Sequence, residues 1–381
     1  MERRKFLILY LDTGAGHKVP ANVLKTFIEK KYPGSEAKIV NGFSSKDYLP
    51  NLFFVNFYHI SMNFFSSLYS FVYRIGNNRL FVRVSHLLLH PYTIRNLRRM
   101  VKEEQPTDII NLHFALESAV RTIQRENPAI EAVTVVTDPF TVHSSWFYDK
   151  KANYFVFSER VRQYAVKQCG IPLKNIKIVP FLLNEKYLVQ SHDKEISDLR
   201  KKYGVKPDKK VVLLTGGGEG LPIIKKIVKE FIVRKSDYTL IAACGRDDAV
   251  RVYLENLSKN KLPVDLKVFG FVDFMDELIK ISDCAVIKAG AASLMETFAA
   301  RKPAVICEFI YGQELGNVQF AVDNGLGKFC RNPSDICDAV ELILSDDKRR
   351  MAVENRLSDI PISFDAGKVV DILFQRNFSQ M

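Results

Sequence analysis

The sequence predicts two doubly wound α/β halves joined in one chain. Three observations carry this expectation. Short, continuous apolar runs alternate with helical patterns along most of the 381 residues, as strands and helices do around a parallel sheet covered on both faces. Each half opens with such a run that ends in glycines: residues 6–11 (FLILYL) lead into Asp12-Thr13-Gly14-Ala15-Gly16-His17, and 210–215 lead into Gly216-Gly217-Gly218-Glu219-Gly220. Between the two series, residues 193–210 are charged and weakly apolar, which makes them the best boundary. The length suffices for two separate cores.

In the first half, 6–11 is the opening strand. A helix follows over 19–31, where Val23, Leu24, Phe27 and Ile28 share one face. Further strands are expected at 37–41, 107–111, 132–137, 153–157 and 176–179, with helices at 116–125 and 159–168. In the second half, strands at 210–215, 239–244, 266–269, 284–288 and 304–307 alternate with helices at 222–233, 249–259, 275–281 and 294–300. The domains are therefore 1–190 and 191–350, followed by a helical 351–381. Ligands of such sheets bind at the carboxyl ends of the strands.

Composition excludes several classes. With 47% apolar and 26% charged residues, the chain is neither disordered nor a fibre nor a polytopic membrane protein. Six scattered cysteines without a CxxC pair point to reduced, buried thiols. No signal or transit pattern precedes the first strand, as expected of a chain that stays in the cytosol. A formal charge of +12 asks for an acidic partner, of which nucleic acid and anionic lipid are the usual two. No nucleic-acid motif is visible, and none is expected as a partner.

Residues 48–102 stand apart. They contain no Asp or Glu, yet carry Arg74, Arg79, Arg83, Arg95, Arg98, Arg99 and Lys102. The uncharged 52–73 approaches the length of a membrane span, but Asn56, His59, Asn63, Ser66 and Ser70 make a polar stripe that suits an interfacial or core-packing helix better. Phe53, Phe54, Phe57, Phe64 and Phe65 with Arg95, Arg98 and Arg99 are the expected surface for an anionic membrane.

Four motifs bear on chemistry. His17, at the first glycine turn, is placed to act as a base, and the turn is neither a GxGxxG fingerprint nor a Walker loop. Asp138, directly after an apolar strand, faces a ligand crevice in such sheets or simply turns the chain before Pro139; His143 and Trp146 follow in the same loop. Thr215, Gly216, Gly217 and Gly218 expose backbone N–H groups suited to a diphosphate. The most specific run is Lys288-Ala289-Gly290-Ala291-Ala292-Ser293 with Glu296 three residues on, then Gly312-Gln313-Glu314-Leu315-Gly316-Asn317 and Asn324-Gly325-Leu326-Gly327. Its small residues let backbone approach a phosphate. Glu296 can accept both hydroxyls of a ribose, and Gln313, Glu314 and Asn317 suit the hydroxyls of a sugar. A capping box from Ser293 to Glu296 would explain the first part alone.

This last run resembles the diacylglycerol glycosyltransferase branch of the two-domain GT-B glycosyltransferases, the family that contains the peptidoglycan N-acetylglucosaminyltransferase and monogalactosyldiacylglycerol synthase. The Gly14-x-Gly16-His17 turn is similar to that family's opening turn, and Asp138, His143 and Trp146 to its acceptor-side loop. Ala291-Ala292-Ser293 departs from the family's Pro-Gly-Thr. The resemblance implies an inverting transfer from UDP-glucose or UDP-galactose to diacylglycerol or a related lipid, with neither metal nor cofactor, by a peripheral protein on the cytoplasmic face of the membrane. It implies His17 or Asp138 as the base and Phe271 beside uracil. It further implies Gly16, the 215–218 turn and 290–293 at the donor, Glu296 on the ribose, and Gln313, Glu314 and Asn317 near the hexose. The 364–376 stretch is expected to cross back to the first domain, as in the family. A peptidoglycan-type transferase and a UDP-sugar 2-epimerase share the fold and are the alternatives. The epimerase has no use for the 48–102 segment.

Overall fold

A computed structural model describes residues 3–12, 15–43, 76–188 and 192–375. The chain folds into two units, each built on a six-stranded parallel sheet. Strands of the first are β1 (Lys5–Tyr10), β2 (Glu36–Asn41), β3 (Asp108–Asn111), β4 (Glu131–Val135), β5 (Asn153–Val156) and β6 (Ile176–Ile178), in the order β2-β1-β3-β4-β5-β6. Ile8 of β1 lies opposite Ile39 and Ile110, and Phe6 to Leu9 are almost wholly buried because helices cover both faces.

The second unit holds β7 (Lys210–Thr215), β8 (Tyr238–Ala243), β9 (Asp265–Phe269), β10 (Cys284–Lys288), β11 (Ala304–Glu308) and β12 (Gly327–Phe329), in the order β12-β11-β10-β7-β8-β9. Its helices bury one stripe each. In Ile224–Val233 that stripe is Ile224, Ile227, Val228 and Phe231, at i, i+3, i+4 and i+7. All six cysteines are free, and five are buried.

The first unit takes in Met1–Leu183 and the returning Ile362–Met381; the second starts at Asn184. The charged stretch expected at the boundary opens with the helix Asp193–Lys202. Asp193 and Glu195 in its first turn and Arg200 to Lys202 in its last complement the helix dipole. The closing helix Ala366–Gln375 docks on the first sheet. Phe374 stacks on Tyr32, with ring centroids 3.6 Å apart, and the Arg4 guanidinium, paired with Asp108, donates to the Leu373 carbonyl at 2.7 Å.

Part of the 48–102 segment is a single helix, Arg79–Glu104, whose Asn78 side chain caps its start. Val82, His86, Leu89, Thr93 and Asn96, spaced by three and four, face the core. Among the described residues no helix is long and apolar enough to cross a membrane. Phe53, Phe54, Phe57, Phe64 and Phe65 lie outside the described residues, as do Thr13 and Gly14.

Candidate active site

In an open α/β sheet the ligand crevice lies where neighbouring strands send their following loops to opposite sides. The first sheet switches between β1 and β3 and the second between β7 and β10. The predicted motifs sit at these two points.

At the first, His17 is in the opening turn of the helix Ala15–Lys31, after β1. Its Nδ1 lies 2.8 Å from the Leu112 carbonyl, just past β3, and 3.1 Å from Thr137 Oγ1, just past β4. A carbonyl only accepts, so Nδ1 carries the proton and Nε2 is left with a lone pair. Burial pushes the imidazole down to about 4, partly opposed by the Leu112 hydrogen bond, so the ring is neutral near pH 7. His113 stands edge-on to it, with centroids 4.7 Å apart, and Trp146 lies at 6.1 Å.

Asp138 is held in its own loop: its Oδ2 accepts from the Trp146 indole at 2.9 Å, and its Oδ1 lies 3.5 Å from Gln313 Nε2. Ile310–Gln313 belongs to the first unit, so Gln313 is grouped with Asp138 and not with the donor motif that precedes it in sequence. Trp146 is 1% exposed. His143 caps the short turn Ser144–Phe147, its Nδ1 accepting from the Ser145 N–H at 3.1 Å. Both therefore build the wall of the loop. Among the described residues nothing lies within 4 Å of where a Cβ on Gly16 would stand.

At the second switch point the backbone dominates. A Cβ on Gly216 would lie 1.9 Å from the Gly220 carbonyl oxygen. Gly245, after β8, has φ +60, and a Cβ there would meet the Gly218 and Gly217 carbonyls at 2.6 and 2.7 Å. Two loops thus pack backbone on backbone, and Thr215 Oγ1 steadies the turn by accepting from the Gly217 N–H at 3.3 Å. A Cβ on Gly217 would lie 3.3 Å from Ser293 Oγ, which places the turn after β10 beside them.

That turn runs into the helix Ala291–Ala299, capped by Gly290 without a side-chain bond. The first-turn N–H groups of Ala291, Ala292 and Ser293 have no cap acceptor, which makes this end a ready anion site. Ser293 lies inside the helix, so a Ser293–Glu296 capping box does not form. Glu296 follows in the second turn, not the first. It accepts from the Tyr187 hydroxyl, and burial raises its carboxyl to about 7 against that bond and the charge of Lys186. Phe271 is 59% exposed beneath the Arg246 guanidinium, 4.6 Å from its centroid, while Arg246 also reaches Glu219 at 3.2 Å.

Asn317 is buried. Its Nδ2 donates to the Ala289 carbonyl at 2.7 Å and holds the β10 turn in place. Glu314 is buried, with Oε1 3.8 Å from where a Gly290 Cβ would stand. Sequence reasoning missed Tyr187, Arg246, Thr137 and His113. Arg246 was within its reach, because Cys244-Gly245-Arg246 is a third apolar strand running into glycine.

Two family models match in succession. Residues 17–179 match the one described as monogalactosyldiacylglycerol (MGDG) synthase, and 211–352 the glycosyltransferase family 28 C-terminal domain. Monogalactosyldiacylglycerol synthase 1 of Arabidopsis thaliana is 27% identical over 350 residues, which cover 88% of this chain and 64% of the plant protein. The match thus spans just under two thirds of that relative. A processive diacylglycerol beta-glucosyltransferase of Bacillus pumilus is 24% identical over 379 residues, 98% of this chain and 95% of its own. Among solved structures, Acinetobacter baumannii MurG superposes with a TM-score of 0.64 at 13% identity, covering 98% of this chain and all of that one, which shows the shared fold. The chain is a glycosyltransferase of the two-domain GT-B fold, its first half similar to the MGDG synthase model and its second to the family 28 C-terminal domain.

Proposed function

We propose that the chain moves a hexose, glucose or galactose, from a UDP-sugar to the free hydroxyl of diacylglycerol, with inversion and without a bound metal or organic cofactor. The observation that carries this is His17, a neutral imidazole whose Nε2 keeps a lone pair, at the switch point of the half that matches the MGDG synthase model. In this reading Nε2 takes the hydroxyl proton. The acceptor oxygen attacks the anomeric carbon opposite the diphosphate, the bond from that carbon to UDP breaks, and UDP leaves with the electron pair. A single displacement inverts the centre. Charge developing on the leaving phosphate is met by the N–H groups at the start of Ala291–Ala299, which do the work a cation would otherwise do, beside the glycine turn that Thr215 holds through the Gly217 N–H. Glu296 holds the ribose, Phe271 the uracil, and Glu314 the hexose. The two relatives named above are a galactosyl- and a glucosyltransferase by name, both of diacylglycerol.

The acceptor lies in a bilayer, and the helix Arg79–Glu104 has a face suited to reach one. Leu80, Phe81, Val84, Leu87, Leu88 and Tyr92 are exposed on the side away from the core. At 100° per residue, Arg95 and Lys102 continue that same face toward the helix end. Arg98 is paired with Glu126, and Arg99 donates to Asn96 Oδ1 at 2.8 Å. Apolar side chains followed by cations suit a peripheral protein on an anionic surface. Free, mostly buried cysteines fit the reducing side, the cytoplasmic face.

The test is incubation with UDP-glucose or UDP-galactose and diacylglycerol in anionic vesicles, with a chelator present, followed by mass spectrometry of the lipids. Hexosyl-diacylglycerol is the expected product. Transfer only of N-acetylglucosamine to a lipid diphosphate, or epimerised UDP-sugar without any lipid product, would overturn the reading. Vesicle cosedimentation checks the surface: Leu87→Ser with Leu88→Ser should weaken binding, and Arg95→Glu should weaken it by roughly 1 kcal/mol. Unchanged binding of both variants would make this face ordinary surface.

A further inference from the structure

Glu117 is a carboxylate that the reaction above leaves without a task. It opens the helix Glu117–Glu126 and is 1% exposed, and among the described residues it is held by neutral groups and paired with no cation. Asn111 Nδ2 donates to Oε2 at 2.8 Å and the Thr134 hydroxyl donates to the same oxygen, while the Tyr154 hydroxyl, 3.1 Å from Oε1, shares its proton with the Asp149 carbonyl at 2.8 Å. Burial raises its carboxyl to about 7. A buried carboxyl without a counter-ion is a poor source of stability, since an apolar side chain of like volume serves as well or better.

What the carboxyl fixes is the end of β3. Asn111 is the last residue of that strand. Its Nδ2 is held by Glu117 and Thr134, which orients Oδ1 to accept the His113 N–H at 3.1 Å. The intervening Leu112 N–H donates to the Leu9 carbonyl at 2.9 Å. The peptide between these anchors is the one whose carbonyl receives Nδ1–H of His17. The same turn sets the His113 ring, whose Nδ1 accepts from the Ala115 N–H, as the wall beside His17. A histidine base is commonly oriented by a carboxylate in direct contact. Here a carbonyl takes that place, and the carboxylate stands one side chain behind it.

We propose that Glu117 is a positioning residue for His17: through Asn111 it locks the Asn111-Leu112-His113 turn, so that the Leu112 carbonyl keeps the proton on Nδ1 and the lone pair on Nε2. The proposal rests on the reading of His17 as the base for its consequence in turnover, but not for its structural content.

The test is the tautomer of His17, read from side-chain nitrogen shifts of the protein labelled with 15N-histidine, with the His17 signals assigned by their loss in His17→Ala. In the unaltered chain Nδ1 should be protonated and Nε2 bare. Glu117→Ala should move His17 toward a mixture of tautomers and lower kcat by up to about 100-fold with the donor KM unchanged. Asn111→Asp, nearly isosteric, sets two carboxylates against each other and should do the same. Adding Glu117→Gln to Asn111→Asp reverses the polarity of the link and should restore both the tautomer and kcat. Unchanged His17 signals in the single variants would overturn the proposal, as would a double variant no better than Asn111→Asp. If Glu117→Ala does not fold, Asn111→Asp and the double variant decide alone. Full turnover in His17→Ala would remove the base assignment, while the nitrogen shifts would still decide the positioning.

Discussion

The turn after β1 and the turn after β7 look alike as sequence, since each is an apolar strand running into glycines and then a helix. As structures they solve different problems. After β7 a methyl on Gly216 would collide with a carbonyl at 1.9 Å, and the neighbouring loop at Gly245 is packed as closely. What remains to face a ligand is backbone. After β1, a methyl on Gly16 would meet nothing within 4 Å among the described residues, and the polar work falls to side chains, His17 against Leu112 and Thr137, and Asp138 against Trp146. Holding an anion needs many fixed N–H dipoles, which backbone supplies at no rotamer cost. Taking a proton needs a group whose pKa can be set, and burial of His17 does that.

The strongest way to break this comparison is His17→Ala. If the first turn works through its side chain, kcat should fall by about 10²- to 10⁴-fold while the dissociation constant for UDP stays as it was. The pH profile sharpens it. The active form is neutral and burial lowers the pKa to about 4, so kcat/KM for the acceptor, at saturating donor, should hold as pH drops below 6.5 and fall only near 4. An acid limb near 6.5 would mean that the imidazole is solvated in the working enzyme. A variant that keeps its turnover would pass the role to Asp138.

On the donor side, Glu296→Ala should weaken UDP binding by roughly 1.5–3 kcal/mol, the usual range for a hydrogen bond to a charged group. Tyr187→Phe, which removes only the donor that holds Glu296, should lose less, about 0.5–1.5 kcal/mol. Equal losses in the two would make Tyr187 the ribose contact. Gly216→Ala forces a methyl into backbone; overpacking of this kind costs about 1–3 kcal/mol. That strain should appear both in the thermal stability of the protein and in a weaker UDP titration. A variant that binds UDP as before would show that the glycine turn is no cradle.

How much of this was legible follows from the kind of interaction involved. The strands at 6–11 and 210–215 were readable because burial on both faces leaves an unbroken apolar run. His17 and the glycine turns were readable because a strand ending in small residues marks a sheet's carboxyl edge. Glu117 was not: a carboxylate satisfied by an Asn, a Thr and a Tyr from three other positions looks in sequence like any helix-opening acid. Asn317 shows the reverse ambiguity. Its spacing from Gln313 and Glu314 suits a sugar, yet spacing alone does not distinguish an amide aimed at a ligand from one that holds the Ala289 carbonyl of its own fold. For Gln313 the sequence suggests a sugar contact but could not show its neighbour Asp138, 3.5 Å away and 175 residues earlier in the chain.

The smallest expected effect is also the most direct check on the contrast between the two turns. Gly16 lies in the first turn of Ala15–Lys31, in helical backbone, with open space around its missing side chain. Alanine there removes the entropic penalty of glycine in a helix and should stabilise the protein by about 0.5–1 kcal/mol, seen as a slightly higher midpoint of thermal unfolding. If the backbone of this turn takes no part in binding, kcat and both KM values should be unchanged. If kcat/KM falls while the midpoint rises, the open space beside Gly16 belongs to a substrate. The turn after β1 would then be a cradle as well as a platform for its histidine.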